Sequence, residues 1–377
     1  MAMVAGSSSV SSVCHKMVQL PHVCGLCLLF RVWQLLALAP FKFSSRNGAK
    51  CHRWMTLSAV FRWLLLTAVA PLILWQSASL YDATNVRHSD IFKDIALGTM
   101  AGDVGVSLAL LGLNIWNRRK LVDLMNGLSR LHRHRKLSWW GTSLLWIKIL
   151  LSLYELLCNV PFLQRAGGHL PWSQLLAYGV QLYVQHVSSV FANGVFGGLL
   201  LLLASLNQLE GENLGVAQLL EEEKNHLRLA QKFIKTSEWG IFLLVIGNFV
   251  NILANMYAYM SYFVQEHGVP LTISNYCLIV TVQLYALVLA AHLCQVRHNR
   301  LQQRCLQQGY LPEELTPDQA KNLTPFPLVS PAGHLKFGVL GLFTLDNSFW
   351  LFLLSYAMNF IVIILQFSLE NMKRTKI

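Results

Sequence analysis

The chain has 377 residues, 54% of them hydrophobic and only 13% charged, with a formal net charge of +12. Soluble domains carry about 25% charged residues, so this much apolar surface has lipid as its solvent. The positive charge would point to nucleic acid in a soluble protein, but zinc-finger spacing, RNP-type motifs and basic heptads are all missing, and basic cytoplasmic loops account for it instead.

The segment from Cys24 to Pro40 is apolar but interrupted by Arg31, with no small-residue cleavage site after it. It reads as an amphipathic helix on the inner membrane surface rather than a signal peptide; a short first span is the competing reading. Cys24 and Cys27 form a lone CxxC with neither a second pair nor a βαβ pattern around it, so small apolar residues beside a hydrophobic segment is the better reading.

A membrane helix needs about 20 mostly apolar residues. Seven candidates follow: Arg62 to Leu80, Ile95 to Trp116, Thr142 to Leu163, Trp172 to Leu206, Trp239 to Val264, Ile273 to Gln295, and Gly338 to Phe367. The expected fold is all-α and polytopic. The fourth and seventh candidates exceed one crossing and must tilt, project or break. Gly194, Gly197 and Gly198 offer flexibility in the fourth. Asp346, Asn347 and Ser348 suggest a break in the seventh, since their polar groups suit a helix start better than a lipid-facing middle.

Three regions are basic: Arg46, Lys50 and Arg53 before the first span; Arg118 to Lys136 between the second and third; and Arg297, Arg300, Arg304, Lys321 and Lys336 between the sixth and seventh. With seven spans all three share one side, which the positive-inside rule makes cytoplasmic. The N-terminus is then inside and the C-terminus outside, although the tail carries Lys373, Arg374 and Lys376. The run His132-Arg133-His134-Arg135 suits anionic lipid headgroups better than a metal, because neighbouring arginines repel a cation. The stretch from Glu210 to Glu238 is charged with helical periodicity and continues the fourth and fifth spans into the cytoplasm. The sequon Asn322-Leu323-Thr324 falls on that same side and is expected to stay unmodified.

Motifs for enzymes are lacking: no G-x-S-x-G, HExxH, Walker A or GxGxxG followed by an acid, and no metal or cofactor signature. Ionisable residues inside spans are costly in lipid and are candidate functional groups. They are Asp103, Lys148, Glu155, His186 and His292. Lys148 and Glu155 share a helix face but lie about 10 Å apart along it, too far to pair directly. Asp103 and Glu155 have two readings, an outer cavity or interhelical hydrogen bonds that fix packing; for the histidines packing is favoured. Trp172, Tyr178, Tyr257, Tyr259, Tyr262 and Tyr276 cluster near the outer ends, where an interfacial belt and a pocket wall both use aromatics.

The last candidate span ends Asn359, Phe360, five apolar residues, Gln366, Phe367, preceded by Gly341-Leu342-Phe343-Thr344-Leu345-Asp346-Asn347-Ser348. This resembles the signature of insect gustatory receptors, Thr-Tyr, five hydrophobic residues, Gln-Phe, with Asn359 standing for Thr and Phe360 for Tyr. The resemblance implies a contact chemosensory receptor in the plasma membrane of sensory neurons, working as a ligand-gated, non-selective cation channel for a small tastant, with bitter compounds among the candidates. It implies a homotetramer, or a heteromer with other gustatory receptors, whose last helices surround the pore. Residues 1–61 would be a cytoplasmic N-terminus with its pre-helix, 62–337 a ligand-sensing bundle, and 338–377 the pore helix and a short external tail. Asn255 and Tyr257, with Asp103 and Glu155, are the ligand-binding candidates. Ile363 and Phe367, four residues apart on one helix face, and Gln366 beside them are the pore and gate candidates. A G-protein-coupled receptor is the alternative, but the acid-Arg-Tyr and Asn-Pro-x-x-Tyr elements are missing. A transporter would show internal repeats, and none is evident.

Overall fold

The computed structural model describes residues 28–44, 48–83, 90–134, 137–157, 172–212, 215–264, 271–309 and 335–375. The elements in chain order are helix α1 at residues 28–35, strands β1 (Phe41–Ser44) and β2 (Gly48–Cys51), and helices α2 (Arg53–Ala83), α3 (Asp90–Trp116), α4 (Arg118–His134), α5 (Trp139–Leu157), α6 (Trp172–Gly211), α7 (Val216–Val264) and α8 (Leu271–Gly309). Strands β3 (Gly338–Val339) and β4 (Phe343–Thr344) and helix α9 (Asn347–Thr375) follow. Seven of these helices, all but α1 and α4, are long and apolar enough to cross a membrane.

Lipid exposure explains the composition. Helix α2 presents Trp54 and Trp75, 75% and 77% exposed, near the two ends of its apolar stretch. At 1.5 Å per residue they lie roughly 32 Å apart, close to the hydrocarbon thickness, as interfacial tryptophans should. Trp116, Trp139, Trp140 and Trp172 are likewise exposed at helix ends. Helix α6 is the opposite case: most of its apolar stretch is buried, so it forms the central post against which the other spans pack.

The sequence left three outcomes open for the long fourth candidate, to tilt, project or break, and a break at its glycines is not the one adopted. Helix α6 runs unbroken for 40 residues, roughly 60 Å, and projects beyond the bilayer. Two of those glycines, Gly194 and Gly198, serve close packing. A Cβ on Gly194 would lie 1.8 Å from the Trp33 ring, and one on Gly198 2.4 Å from Phe233. Helix α7 is longer still, at 49 residues, because the charged stretch after residue 216 is helical and joins directly to the fifth span. In the seventh candidate the break is real. Residues 338–344 form a small hairpin, and α9 starts at Asn347 with the Asp346 carboxylate accepting the Phe349 amide at 2.9 Å, an N-cap.

The chain is mostly helical, as expected, and two short antiparallel pairs accompany the helices. The β1–β2 pair is docked by Asn126 on α4, whose side chain accepts from the Ala49 amide at 2.7 Å and donates to its carbonyl at 3.2 Å. The amphipathic segment near the N-terminus is helical over 28–35, but it is packed into the bundle rather than merely laid on a surface. Trp33 is buried, donates from Nε1 to the Val190 carbonyl at 2.7 Å and stacks on Phe191. Cys24, Cys27, residues 158–163 of the third candidate span and the sequon lie outside the described residues.

Hairpins, α4 and the long ends of α6, α7 and α8 gather at one end of the bundle, the basic end. There Arg297 pairs with Glu210 at 2.7 Å and Lys232 with Asp123 at 3.7 Å.

Candidate functional site

Lys148 and Glu155 lie two turns apart on α5, and both are buried in the bundle at 2% and 6% exposure. They do not pair directly, as their spacing requires. Gln283 of α8 joins them instead. The Lys148 ammonium donates to the Gln283 carbonyl at 2.9 Å and to its Oε1 at 3.3 Å, while Gln283 Nε2 donates to the Glu155 carboxylate at 3.1 Å. An amide is suited to this position because one end accepts and the other donates. Hydroxyls extend the network: Ser189 donates to Ser152 at 3.0 Å, and Asn193 donates to the same Ser152 oxygen at 2.7 Å. Three helices, α5, α6 and α8, are thus tied by buried polar contacts. Such contacts are expensive to lose in low dielectric.

Beside this network is a cavity of about 30 Å³, room for about two water molecules. Asp103 of α3 and Glu155 both line it, so the structure brings together the two acidic candidates from separate helices. Side-chain amides face them from three more helices: Gln185 on α6, Asn248 and Asn251 on α7, and Gln283 on α8. The Tyr276 ring, Ser188 and Ser189, and apolar residues including Val106, Leu244 and Val280 line the rest of the wall. Asn251 donates to the Asp103 carboxylate at 2.7 Å. Gln185 and Asn248 have no hydrogen-bond partner among the described residues. The cavity therefore offers two carboxylates and two free amide groups at the junction of five helices, α3, α5, α6, α7 and α8.

Other candidates are placed less centrally. Asn255 sits one turn from Asn251, donating to its carbonyl at 2.7 Å, and Tyr257 is half-buried; neither lines the cavity. The His186 ring uses Nδ1 on the Leu182 carbonyl of its own helix at 2.8 Å. His292 is half-buried on α8. Tyr178 is buried, whereas Trp172 is 87% exposed, as a belt residue should be.

On α9 one stripe, Leu353, Ala357 and Ile364, packs against the bundle. Much of the remaining circumference is open and mostly apolar, with Leu351, Phe352, Tyr356, Met358 and Val362 exposed beside Ser355 and Asn359. Ile363, Gln366 and Phe367 lie on this open surface, at 49% exposure for Ile363 and 65% for Phe367.

Sequence reasoning missed Gln283 and Asn251, since a search for ionisable groups passes over amides inside spans. It also missed a buried cluster at the basic end, where His298 meets Glu223 at 3.3 Å and stacks against His226 at 6.2 Å between centroids. Its signal is three polar residues on the apolar side of otherwise charged helices.

Comparison with known proteins bears on all of this. Residues 26–371 match the model of the family described as "7tm Chemosensory receptor". The Drosophila melanogaster protein named "Putative gustatory receptor 89a" is 63% identical over 362 residues, covering 96% of this chain and 100% of that protein. Among solved structures, the insect olfactory receptor OR5 from Machilis hrabei superposes with a TM-score of 0.65 at 14% identity, covering 90% of this chain and 97% of the receptor. The same receptor in complex with eugenol gives a TM-score of 0.60 at 12% identity, over 92% and 99% of the two chains. These structures share the fold, and the family is one of receptors rather than enzymes. With its seven spans, this chain is a multi-pass membrane protein belonging to the 7tm chemosensory receptor family.

Proposed function

We propose that this chain is a contact chemosensory receptor that works as a ligand-gated, non-selective cation channel, opened by a small tastant that enters the cavity between Asp103 and Glu155. The observation that carries the channel reading is the open face of α9. One apolar stripe anchors the helix to its own chain, while most of its described surface, including the polar Gln366, is exposed. A polar amide on an outward membrane face is costly unless another subunit or a water-filled pore satisfies it. Four copies arranged around these helices, as a homotetramer or with other gustatory receptors, would satisfy it. Ile363 and Phe367 then form a dewetted ring that closes the pore, and Gln366 meets either the pore or a neighbouring subunit. The basic end faces the cytoplasm in this reading, which puts the receptor in the plasma membrane of chemosensory neurons with its cavity reached from outside.

Ligand opens the channel only by binding the open arrangement more tightly than the closed one. The cavity supports this role because five helices meet at it, so an occupant that spreads or draws them together acts on much of the bundle. Phe367→Ala should raise resting current in cells expressing the receptor at matched surface level, by removing the widest apolar group of the gate. Unaltered leak at equal surface density would count against α9 as the pore helix.

A further inference from the structure

We propose that the ligand of this cavity is an organic cation, a small compound carrying a protonated amine, whose ammonium group sits between Asp103 and Glu155. This rests on the cavity being the receptor's ligand site and goes on to name the chemistry of the ligand. The charges around the two carboxylates are unevenly balanced. Glu155 has Lys148 behind it, joined through Gln283, and His186 near it. Asp103 has a neutral amide, Asn251, as its hydrogen-bond donor, and the charged group acting on it is another carboxylate, Glu155. Among the described residues no ammonium, guanidinium or imidazole makes an ion pair with Asp103. A carboxylate in a bundle interior stays charged at a cost unless a cation neutralises it, so an incoming ammonium gains most from this wall.

Size and wall chemistry agree with that occupant. Room for about two waters admits an ammonium head group, not a whole aromatic tastant, so the body of the ligand must part the helices as it follows the head in. The Tyr276 ring stands in the same wall, and an aromatic face beside carboxylates is a favourable setting for a cation. The free amides of Gln185 and Asn248 leave acceptors for the remaining ammonium hydrogens. An anionic ligand of equal shape meets two like charges, and a neutral one leaves Asp103 uncompensated.

The test uses full-length receptor purified in detergent micelles, melted at pH 7 and fixed salt with three compounds of similar shape: phenethylamine, 2-phenylethanol and phenylacetate. A saturable rise in melting temperature with the amine, and none with the alcohol or the acid, is the expected result. Asp103→Asn should weaken the apparent affinity for the amine by about 10- to 100-fold, the range for a hydrogen bond to a charged group, and Asp103→Glu should restore part of it. The comparison on the unaltered protein stands even where a variant fails to fold. An equal shift with the alcohol, indifferent to Asp103→Asn, overturns the cationic ligand and leaves the cavity as a ligand site. A shift produced by sodium chloride alone in place of the amine overturns it in favour of an alkali ion. Absence of any shift overturns it as well, and currents evoked by other compounds then judge the channel reading separately.

Discussion

Gln283 is the residue on which the buried polar network turns. It accepts from Lys148 and donates to Glu155 with the two ends of one amide, so it mediates between charges that α5 holds about 10 Å apart. Replacing it by leucine keeps the volume roughly constant but takes a donor from Glu155 and an acceptor from Lys148 inside the bundle. Each hydrogen bond to a charged group that is lost costs about 1.5–3 kcal/mol. Gln283→Leu should therefore lower the melting temperature of the purified receptor clearly, whereas Gln185→Leu, at an amide with no hydrogen-bond partner among the described residues, should change it little. Equal melting of the two variants would mean that Gln283 is not the bridge. Both glutamines look alike in the sequence, each a polar residue in an apolar run; only the helix facing them distinguishes their roles.

The elements show where sequence periodicity suffices and where it fails. Lipid imposes long apolar stretches, so the seven spans are legible in composition, and the polar triplet from Asp346 to Ser348 correctly marks where α9 begins. The glycines of α6 invite the opposite error. Gly194, Gly197 and Gly198 read as flexible points, yet the helix is continuous and its surface is cut away at Gly194 and Gly198 to admit rings from other elements. A glycine in a helix says that a Cβ is unwelcome, not whether bending or contact is the reason. The same limit applies to α1, whose apolar face suits membrane or protein equally well; Trp33 against Gly194 decides it. Gly194→Val should accordingly cost surface expression and thermal stability by driving Trp33 out, while Gly179→Ala, with open space around its Cβ position, should be tolerated. Surface immunolabelling and melting of the solubilised protein read both effects. Normal assembly of Gly194→Val would show that α1 can leave the bundle without loss. The cavity was half legible for a related reason. Asp103 and Glu155 stand out because charge in a span is rare, but their meeting depends on how α3 and α5 turn about α6, which no local pattern encodes.

Across the whole molecule, orientation is the property from which the channel reading draws its sense. The basic residues described at the junctions of α3 with α4 and at the ends of α8 and the 335–337 segment lie at one end of the bundle, and the Arg297–Glu210 and Lys232–Asp123 pairs neutralise only some of them. The remaining positive charge favours retention on the cytoplasmic side, next to anionic lipid. On that orientation, seven crossings would deliver α9 with its C-terminus outside, and the proposed gate at Ile363 and Phe367 would lie toward the outer half. The opposing term is the tail, with Lys373, Arg374 and Lys376. It is outweighed, because the basic end has more such residues spread over several short connections, and orientation follows the summed bias rather than one segment. An epitope tag at the C-terminus should thus be accessible to antibody on intact cells, and a tag at the N-terminus only after permeabilisation. The reverse pattern would turn the cavity's entrance and the gate toward the cytoplasm. The channel proposal would then fall, and a seven-helix receptor with an external N-terminus would take its place.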